Sequence, residues 1–213
     1  MLFVKISKTK KLRLRTKYYK MKIGLYFGTY NPIHVGHLII ANHMAEFADL
    51  DQIWMVVTPH NPLKKKATLL DDHHRLQMVY LATEDYPKIK PSDIEFKLPQ
   101  PNYTVITLAH LQEKYPTHEF SLIMGEDNLK TLHKWKNYEV ILENHDIYVY
   151  PRISDEPENT ELKSHPKIHV IDAPIVEISS TFIRNSIKEG KNIQPLLPPK
   201  VWEYIDHNNF YKK

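Results

Sequence analysis

Two histidines stand three positions apart in the segment GTYNPIHVGH, which follows the apolar stretch IGLYF. If a helix begins there, His34 and His37 lie one turn apart and share one of its faces. A helix N-terminus presents unbonded N–H groups and the positive end of the macrodipole, and both favour an anion. Gly28 and Gly36 would let a ligand atom approach the backbone closely. We therefore predict that this turn binds phosphate.

Two other interpretations of the histidine pair have less support. Zinc normally takes a third protein ligand, and the sequence shows none nearby, so we predict no metal held by protein side chains. The pair would otherwise only bond to its own turn, which is the default for an isolated H-x-x-H. The strand–turn–helix context and a distant basic motif favour phosphate over that default.

The distant motif is ISSTFIR, at residues 178–184. Ser179 or Ser180 would cap a helix and leave its other N–H groups for phosphate oxygens. Arg184 would lie near the same helix end, where its guanidinium can bind two phosphate oxygens at once. Alone, the motif is better explained as an ordinary capped helix with a surface arginine. Paired with the histidines, it favours a phosphate site.

Three further segments carry candidate binding residues. The loop PHNPLKKK follows a predicted strand and would place Lys64 over a triphosphate. Asp127 is an acceptor suited to sugar hydroxyls, and Trp135 offers a flat face to a heteroaromatic ring. Tyr103 and Thr104 begin a predicted helix whose N–H groups would hold a carboxylate. A solvated lysine run explains Lys65 and Lys66 equally well, and taken alone Trp135 is better explained as a core residue.

The elements that would position these residues alternate along the chain. Strands are predicted at 22–28, 52–59, 119–125, 146–151 and 167–172, and helices at 36–48, 71–85, 103–115, 136–144, 179–189 and 198–207. This alternation is typical of an α/β fold, here a doubly wound parallel sheet with helices on both faces and a small helical portion at the C-terminus. In the second helix, we expect Arg75 to pair with nearby acids.

In such a fold the ligand lies beyond the carboxyl ends of the strands, at the switch point of the sheet. The loops predicted at that edge are 28–36, 58–70, 125–135 and 173–180. A polar stretch at 154–166 is predicted to be an exposed loop.

Composition and charge exclude several classes of protein. The chain has no cysteine among its 213 residues, which excludes disulfides and thiolate metal sites. No apolar run approaches the roughly 20 residues of a membrane span. The first 20 residues hold eight lysines and arginines and no acid, whereas the remainder has 21 basic residues against 25 acidic ones. We therefore expect a cytoplasmic protein with no nucleic-acid partner and no membrane partner.

The basic segment and the rest of the chain are interpreted separately. We expect translation to begin at Met21, directly before the first strand. Residues 1–20 would then be a basic N-terminal extension outside the fold, and 21–213 a single domain.

Together the motifs resemble the bacterial nicotinate-nucleotide adenylyltransferases, within the nucleotidyltransferase superfamily that carries an H-x-G-H signature and a Rossmann-like fold. The resemblance runs from about residue 22 to the C-terminus. The segments that carry it are GTYNPIHVGH, PHNPLK, RLQM, NYT, MGEDN, HKW, ISSTFIR and LLPPKVWEYIDHNNFY. It implies that 21–213 is a nucleotidyltransferase domain. It also implies adenylyl transfer from ATP to nicotinate mononucleotide with Mg²⁺, giving deamido-NAD and pyrophosphate in NAD biosynthesis.

The resemblance further implies roles for the candidate residues. His34, His37 and Arg184 would be the catalytic groups, with His37 on the α-phosphate. The ATP-binding set would be Gly28, Thr29, Gly36, Lys64, Ser180, Thr181 and Arg184. The mononucleotide-binding set would be Tyr103, Thr104, Asp127 and Trp135, with the tryptophan stacked on the pyridine ring.

Some positions depart from the family pattern. Phe27 stands where many members have glycine, and Asn31 and Ile106 stand where many have aspartate. None of these removes a phosphate ligand, but they leave the choice between acid and amide open. The alternatives are an adenylyltransferase for nicotinamide mononucleotide or phosphopantetheine, and a nucleotide-binding protein without catalysis. A homo-oligomer is also left open.

Overall fold

A parallel sheet forms the centre of the protein. The computed structural model describes residues 20–59, 69–153 and 160–212. Within them the strands are β1 Lys22–Gly28, β2 Gln52–Val57, β3 Ile89–Ser92, β4 Glu119–Gly125, β5 Ile147–Tyr150 and β6 Ile168–Val170. They pair in the order β3-β2-β1-β4-β5-β6, and every pairing is parallel. This order reverses direction between β1 and β4, so the doubly wound fold class is confirmed.

Alternate residues of each strand enter different hydrophobic cores. In β4, Ile123 packs into one core while Leu122 and Met124 pack into the other. In β5, Tyr148 and Val149 divide in the same way. Because both faces of the sheet are covered, the strands are nearly continuously apolar.

Helices cover both faces, as predicted. They are α1 Val35–Phe47, α2 Asp72–Thr83, α3 Thr104–Lys114, α4 Glu126–Thr131, α5 Tyr138–Asn144, α6 Thr160–Lys163, α7 Ser180–Lys188 and α8 Pro199–His207, with single 3₁₀ turns at Leu132–Lys134 and Gln194–Leu196. The first core receives α1, α2, α7 and α8, and the second receives α3, α4 and α5. The C-terminal helices therefore pack on the same side as the first two.

Three short elements were not predicted from the sequence. β3 contains Pro91, which lacks an N–H group and is tolerated because β3 lies at the edge of the sheet and pairs only with β2. α4 begins directly after β4, inside the loop predicted at 125–135. α6 lies inside the loop predicted at 154–166. Across the described ranges, no helix has the length and apolar character needed to cross a bilayer.

Candidate active site

A polar cleft opens at the carboxyl edge of the sheet, between the N-termini of α1 and α7. The predicted residues that line it are Gly28, Thr29, His34, His37, Asp127, Ser180, Thr181 and Arg184. Thus the two histidines and the distant arginine, about 150 positions apart in sequence, border one cavity. The switch point between β1 and β4 lies at the same edge, where a ligand is expected in this fold.

The two imidazoles of the cleft are in direct contact. Their rings stack with centroids 3.7 Å apart and an interplanar angle of 27°. The backbone N–H of His34 donates to Nδ1 of His37 at 3.2 Å. Since Nδ1 accepts this bond, the neutral His37 ring carries its proton on Nε2, which is therefore a donor. The Tyr30 ring packs edge-on against His37 at 5.0 Å and limits its rotation.

His34 is neutral at physiological pH. Burial, and to a smaller extent the positive charge of the nearby Arg152 guanidinium, lower its pKa to about 4. The side chain is 4% exposed, and its Nδ1 atom has no hydrogen-bond partner among the described residues.

The N-terminus of α7 is bonded to the turn that precedes α1. Ser180 Oγ donates to the Pro32 carbonyl at 2.8 Å, and Arg184 Nη1 donates to the Asn31 carbonyl at 2.7 Å. Ser179 is the residue that caps α7, because its Oγ accepts from the Phe182 N–H at 3.1 Å. These bonds hold the second phosphate motif against the first.

One predicted ATP-binding residue, Gly36, is not among the described residues that line the cleft. Gly36 is buried, and a Cβ atom there would lie 2.9 Å from Val176 Cγ1 and 3.0 Å from His34 Nδ1. The close approach that this glycine permits in the described residues is by protein atoms, and its role in ATP binding stays a prediction. Lys64 lies outside the described residues.

A second, more aromatic hollow adjoins the cleft. It is lined by Tyr103, Thr104 and Trp135, the predicted mononucleotide residues, together with Lys134 and Lys136. The Lys136 ammonium lies 4.6 Å from the centroid of the Tyr103 ring. The residues that border both cavities are Tyr26, Phe27, Asn128 and Tyr150. Asp127, placed with the mononucleotide set from sequence, borders the polar cleft instead.

Sequence reasoning missed four charged residues of these cavities, two of which are Lys134 and Lys136 of the hollow. Arg152 borders the polar cleft, with its Nε 3.9 Å from Asp127 Oδ1. Glu95 borders the hollow, and burial raises its pKa against hydrogen bonds from the Thr107 and Thr58 hydroxyls. Arg152 could have been found because it follows β5 at the carboxyl edge. Glu95 gave no such signal, since β3 before it was not recognised.

The comparison with protein families places this cleft in a known class. Residues 25–186 match the family described as Cytidylyltransferase-like. A doubly wound sheet with an H-x-G-H turn at its switch point, together with that match, defines a nucleotidyltransferase of the cytidylyltransferase-like type.

Proteins of similar sequence identify the family within this class. A Flavobacterium johnsoniae protein named "Probable nicotinate-nucleotide adenylyltransferase" is 95% identical over 91% of this chain and 100% of its own length. A Cytophaga hutchinsonii protein of the same name is 50% identical over 90% of this chain and 98% of its own. The chain belongs to the nicotinate-nucleotide adenylyltransferase family.

Solved structures agree in fold. The Plasmodium falciparum nicotinic acid mononucleotide adenylyltransferase complexed with NaAD superposes with a TM-score of 0.77 at 22% identity, covering 91% of this chain and 98% of that one. The same enzyme complexed with APC gives 0.76 at 22% identity, covering 90% and 97%. At this identity the likeness shows the Rossmann-like fold alone.

Proposed function

We propose that the protein transfers the adenylyl group of ATP to nicotinate mononucleotide, with the triphosphate in the polar cleft and the pyridine ring in the aromatic hollow. The observation that carries this assignment is the wall that the two cavities share. Tyr26 and Tyr150 border both of them, so ligands in the two cavities would meet at that wall. Deamido-NAD and pyrophosphate are the products.

The reaction in this arrangement is a single displacement. An oxygen of the mononucleotide 5′-phosphate attacks the α-phosphorus of ATP, and the bond from that phosphorus to the bridging oxygen breaks, so pyrophosphate leaves with the electron pair. The protein contributes position and charge stabilisation and forms no covalent bond. His37 Nε2–H donates to an α-phosphate oxygen as negative charge builds there. Arg184, with Ser180 and Thr181, holds the far phosphates.

The hollow suits an aromatic acid. Trp135 would stack on the pyridine ring, and the first N–H groups of α3, at Tyr103 and Thr104, would hold the carboxylate. The ammonium groups of Lys134 and Lys136 border the same hollow. Their positive charge favours a carboxylate over a neutral amide, which supports nicotinate over nicotinamide mononucleotide.

The cleft also suits Mg²⁺ that arrives with the nucleotide. No group of three or more histidine or acidic side chains that would hold a metal is present in the described ranges. Mg²⁺ prefers oxygen ligands and is commonly held by one or two carboxylates together with substrate phosphates. Asp127 supplies such a carboxylate in the cleft. When bound, the ion would neutralise phosphate charge.

A product assay tests the function. The protein is given ATP and Mg²⁺ with nicotinate mononucleotide, nicotinamide mononucleotide or phosphopantetheine in parallel, and products are separated by chromatography. We expect deamido-NAD to form with the highest kcat/KM. Faster reaction with either other acceptor would overturn the substrate assignment, and no product with any of them would overturn adenylyl transfer.

The Trp135→Ala variant tests the role of the hollow. Loss of the stacking face should raise the KM for nicotinate mononucleotide roughly tenfold, equivalent to about 1.4 kcal/mol, and leave the KM for ATP unchanged. Trp54→Ala is the matched control, because Trp54 packs in the same core against Tyr115 and Phe120 and does not border the hollow. If the KM values for both substrates rose equally in Trp135→Ala, the tryptophan would only fill the core.

A further inference from the structure

A buried arginine lies directly behind the phosphate cleft. Arg75, on α2, has no solvent exposure. Its Nε donates to the Leu70 carbonyl at 3.0 Å, and its Nη1 donates to the carbonyls of Thr29 at 2.5 Å and Thr58 at 3.0 Å. The predicted acid is also present, since Nη2 pairs with Asp72. A buried charge is tolerated when it is paired and fully hydrogen-bonded, and every guanidinium nitrogen here has a partner.

The carbonyls that Arg75 binds belong to the walls of both cavities. Thr29 directly follows β1 and borders the polar cleft, and Thr58 directly follows β2 and borders the hollow. A carbonyl oxygen that faced the cleft would repel phosphate oxygens. In a trans peptide, C=O and N–H point in opposite directions. The Thr29 carbonyl and the Tyr30 N–H belong to the same peptide. Because Arg75 binds this carbonyl behind the cleft, the Tyr30 N–H points in the opposite direction, away from Arg75.

Two further carbonyls of the turn are bound by side chains in the same manner. Arg184 binds the carbonyl of Asn31, and Ser180 binds that of Pro32. Side chains of other elements thus take up three carbonyls between β1 and α1. Arg184 and Ser180 border the cleft, whereas Arg75 is absent from the described residues that line it. Arg75 alone acts from behind.

We propose that Arg75 is a positioning residue for the triphosphate: it holds the Thr29 carbonyl out of the cleft and so sets the turn that carries the two histidines, without touching substrate. Thr58 is held a second time, because its N–H donates to the Gly28 carbonyl at 2.9 Å. Loss of Arg75 therefore acts mainly on the carbonyls of Thr29 and Leu70, and of these two residues only Thr29 is among the described residues that line the cleft. The inference rests on the proposed function only in that it places the triphosphate in this cleft.

Arg75→Lys is the main test, because lysine keeps the charge and loses the planar fork of donors. The unbound Thr29 carbonyl should raise the dissociation constant for ATP roughly tenfold, measured by calorimetry, and leave that for nicotinate mononucleotide unchanged. Met78→Ala is the matched control. Met78 is fully buried on the same helix, so this variant loses stability without loss of ATP affinity.

A second variant decides the matter if Arg75→Lys does not fold. Asp72→Asn removes the charge of the partly exposed carboxylate that pairs with the Arg75 guanidinium. This variant should also raise the dissociation constant for ATP and leave that for nicotinate mononucleotide unchanged. The proposal would be overturned if the affinities for both substrates fell equally. It would also be overturned if the melting temperature fell and the ATP affinity did not change, as in Met78→Ala. A wild-type protein that binds ATP but makes no deamido-NAD contradicts the proposed function and leaves this binding test valid.

Discussion

The two histidines of the cleft are in direct contact, and different features set the protons of the two rings. Burial keeps His34 neutral, and the bond from its backbone N–H fixes the proton of His37 on Nε2. A fully protonated His37 would have to break that bond. His37 Nε2 is therefore a directed donor, while Arg184 and Arg152 bring positive charge to the cleft.

The His37→Ala variant should lose turnover and keep its fold. Removal of one donor to a transition-state oxyanion should lower kcat roughly 10²–10³-fold. Circular dichroism and thermal unfolding check the fold, and a coupled pyrophosphate assay measures turnover. His43→Ala is the control, since His43 lies on the same helix, stacks on Phe47 and does not border the cleft. Unchanged kcat in His37→Ala would contradict the catalytic assignment.

The low pKa of His34 predicts a loss of stability in acid. The pKa is about 4 in the folded protein against 6.5 ordinarily, so between these values the unfolded chain binds more protons. The contribution is complete above the unfolded pKa near 6.5 and is lost as pH falls towards 4, to a total of about 3 kcal/mol.

Urea unfolding of the wild type and of His34→Asn, at pH 7 and at several values down to 4.5, measures this effect. Asparagine keeps an N-cap residue and removes the titration. The stability difference between the two proteins should fall as pH is lowered, because contributions from other groups cancel. A difference that stays constant with pH would contradict the neutral, buried His34.

At the scale of elements, the long strands and helices were predictable because their patterns repeat. β1 and β4 were predicted at their observed limits, 22–28 and 119–125, since each is apolar on both faces. β3 was not, because it has four residues, one of them buried, and a proline, so its conformation depends on pairing with β2.

The candidate site likewise contains residues that could be predicted from the sequence and contacts that could not. Residues whose side chains were expected to meet ligands, such as His37 and Arg184, were found from their types and spacing. Arg75 was expected to pair with acids, yet most of its partners are carbonyl oxygens, which any residue type supplies. Sequence carries no signal for such bonds. The side chains that pack against Gly36 also come together only in the folded chain, so this contact could not be predicted either.

The capping of α7 gives a prediction at this scale. Ser179→Ala removes the acceptor for the Phe182 N–H and should lower the free energy of unfolding by about 1 kcal/mol. Because α7 carries Ser180 and Arg184, the KM for ATP should rise as the helix end loosens. Ser179→Asn, which retains a cap, should restore both quantities. A Ser179→Ala protein of unchanged stability in urea would show that the cap contributes nothing.

In the whole molecule, the cleft lies where helices leave the sheet towards opposite faces. α1 follows β1 into the first core, and α4 follows β4 into the second, so the space between their starts is left open. α7 returns from the far end of the chain and borders that space through its bonds to the turn before α1. The cleft therefore depends on the complete fold, although the residues predicted to bind phosphate there come from short motifs.

The body of the protein and its basic first segment should be separable. A chain that begins at Met21 keeps the Met21 carbonyl, which accepts from the Glu119 N–H at 2.8 Å, and it keeps all of β1. It loses the ion pair between Lys20 and Glu119, which is largely exposed and should contribute little to stability. We expect kcat, both KM values and the melting temperature to equal those of the full chain.

The control for this truncation is a chain that begins at Tyr26 and therefore lacks Ile23 and Leu25, which are completely buried. It should fail to fold, because the central strand of the sheet loses its core residues. Circular dichroism and the adenylyl-transfer assay compare the three chains. If the protein that starts at Met21 were inactive or unfolded, the basic segment would belong to the working domain, and the body alone, acidic by four charges, would not account for the activity.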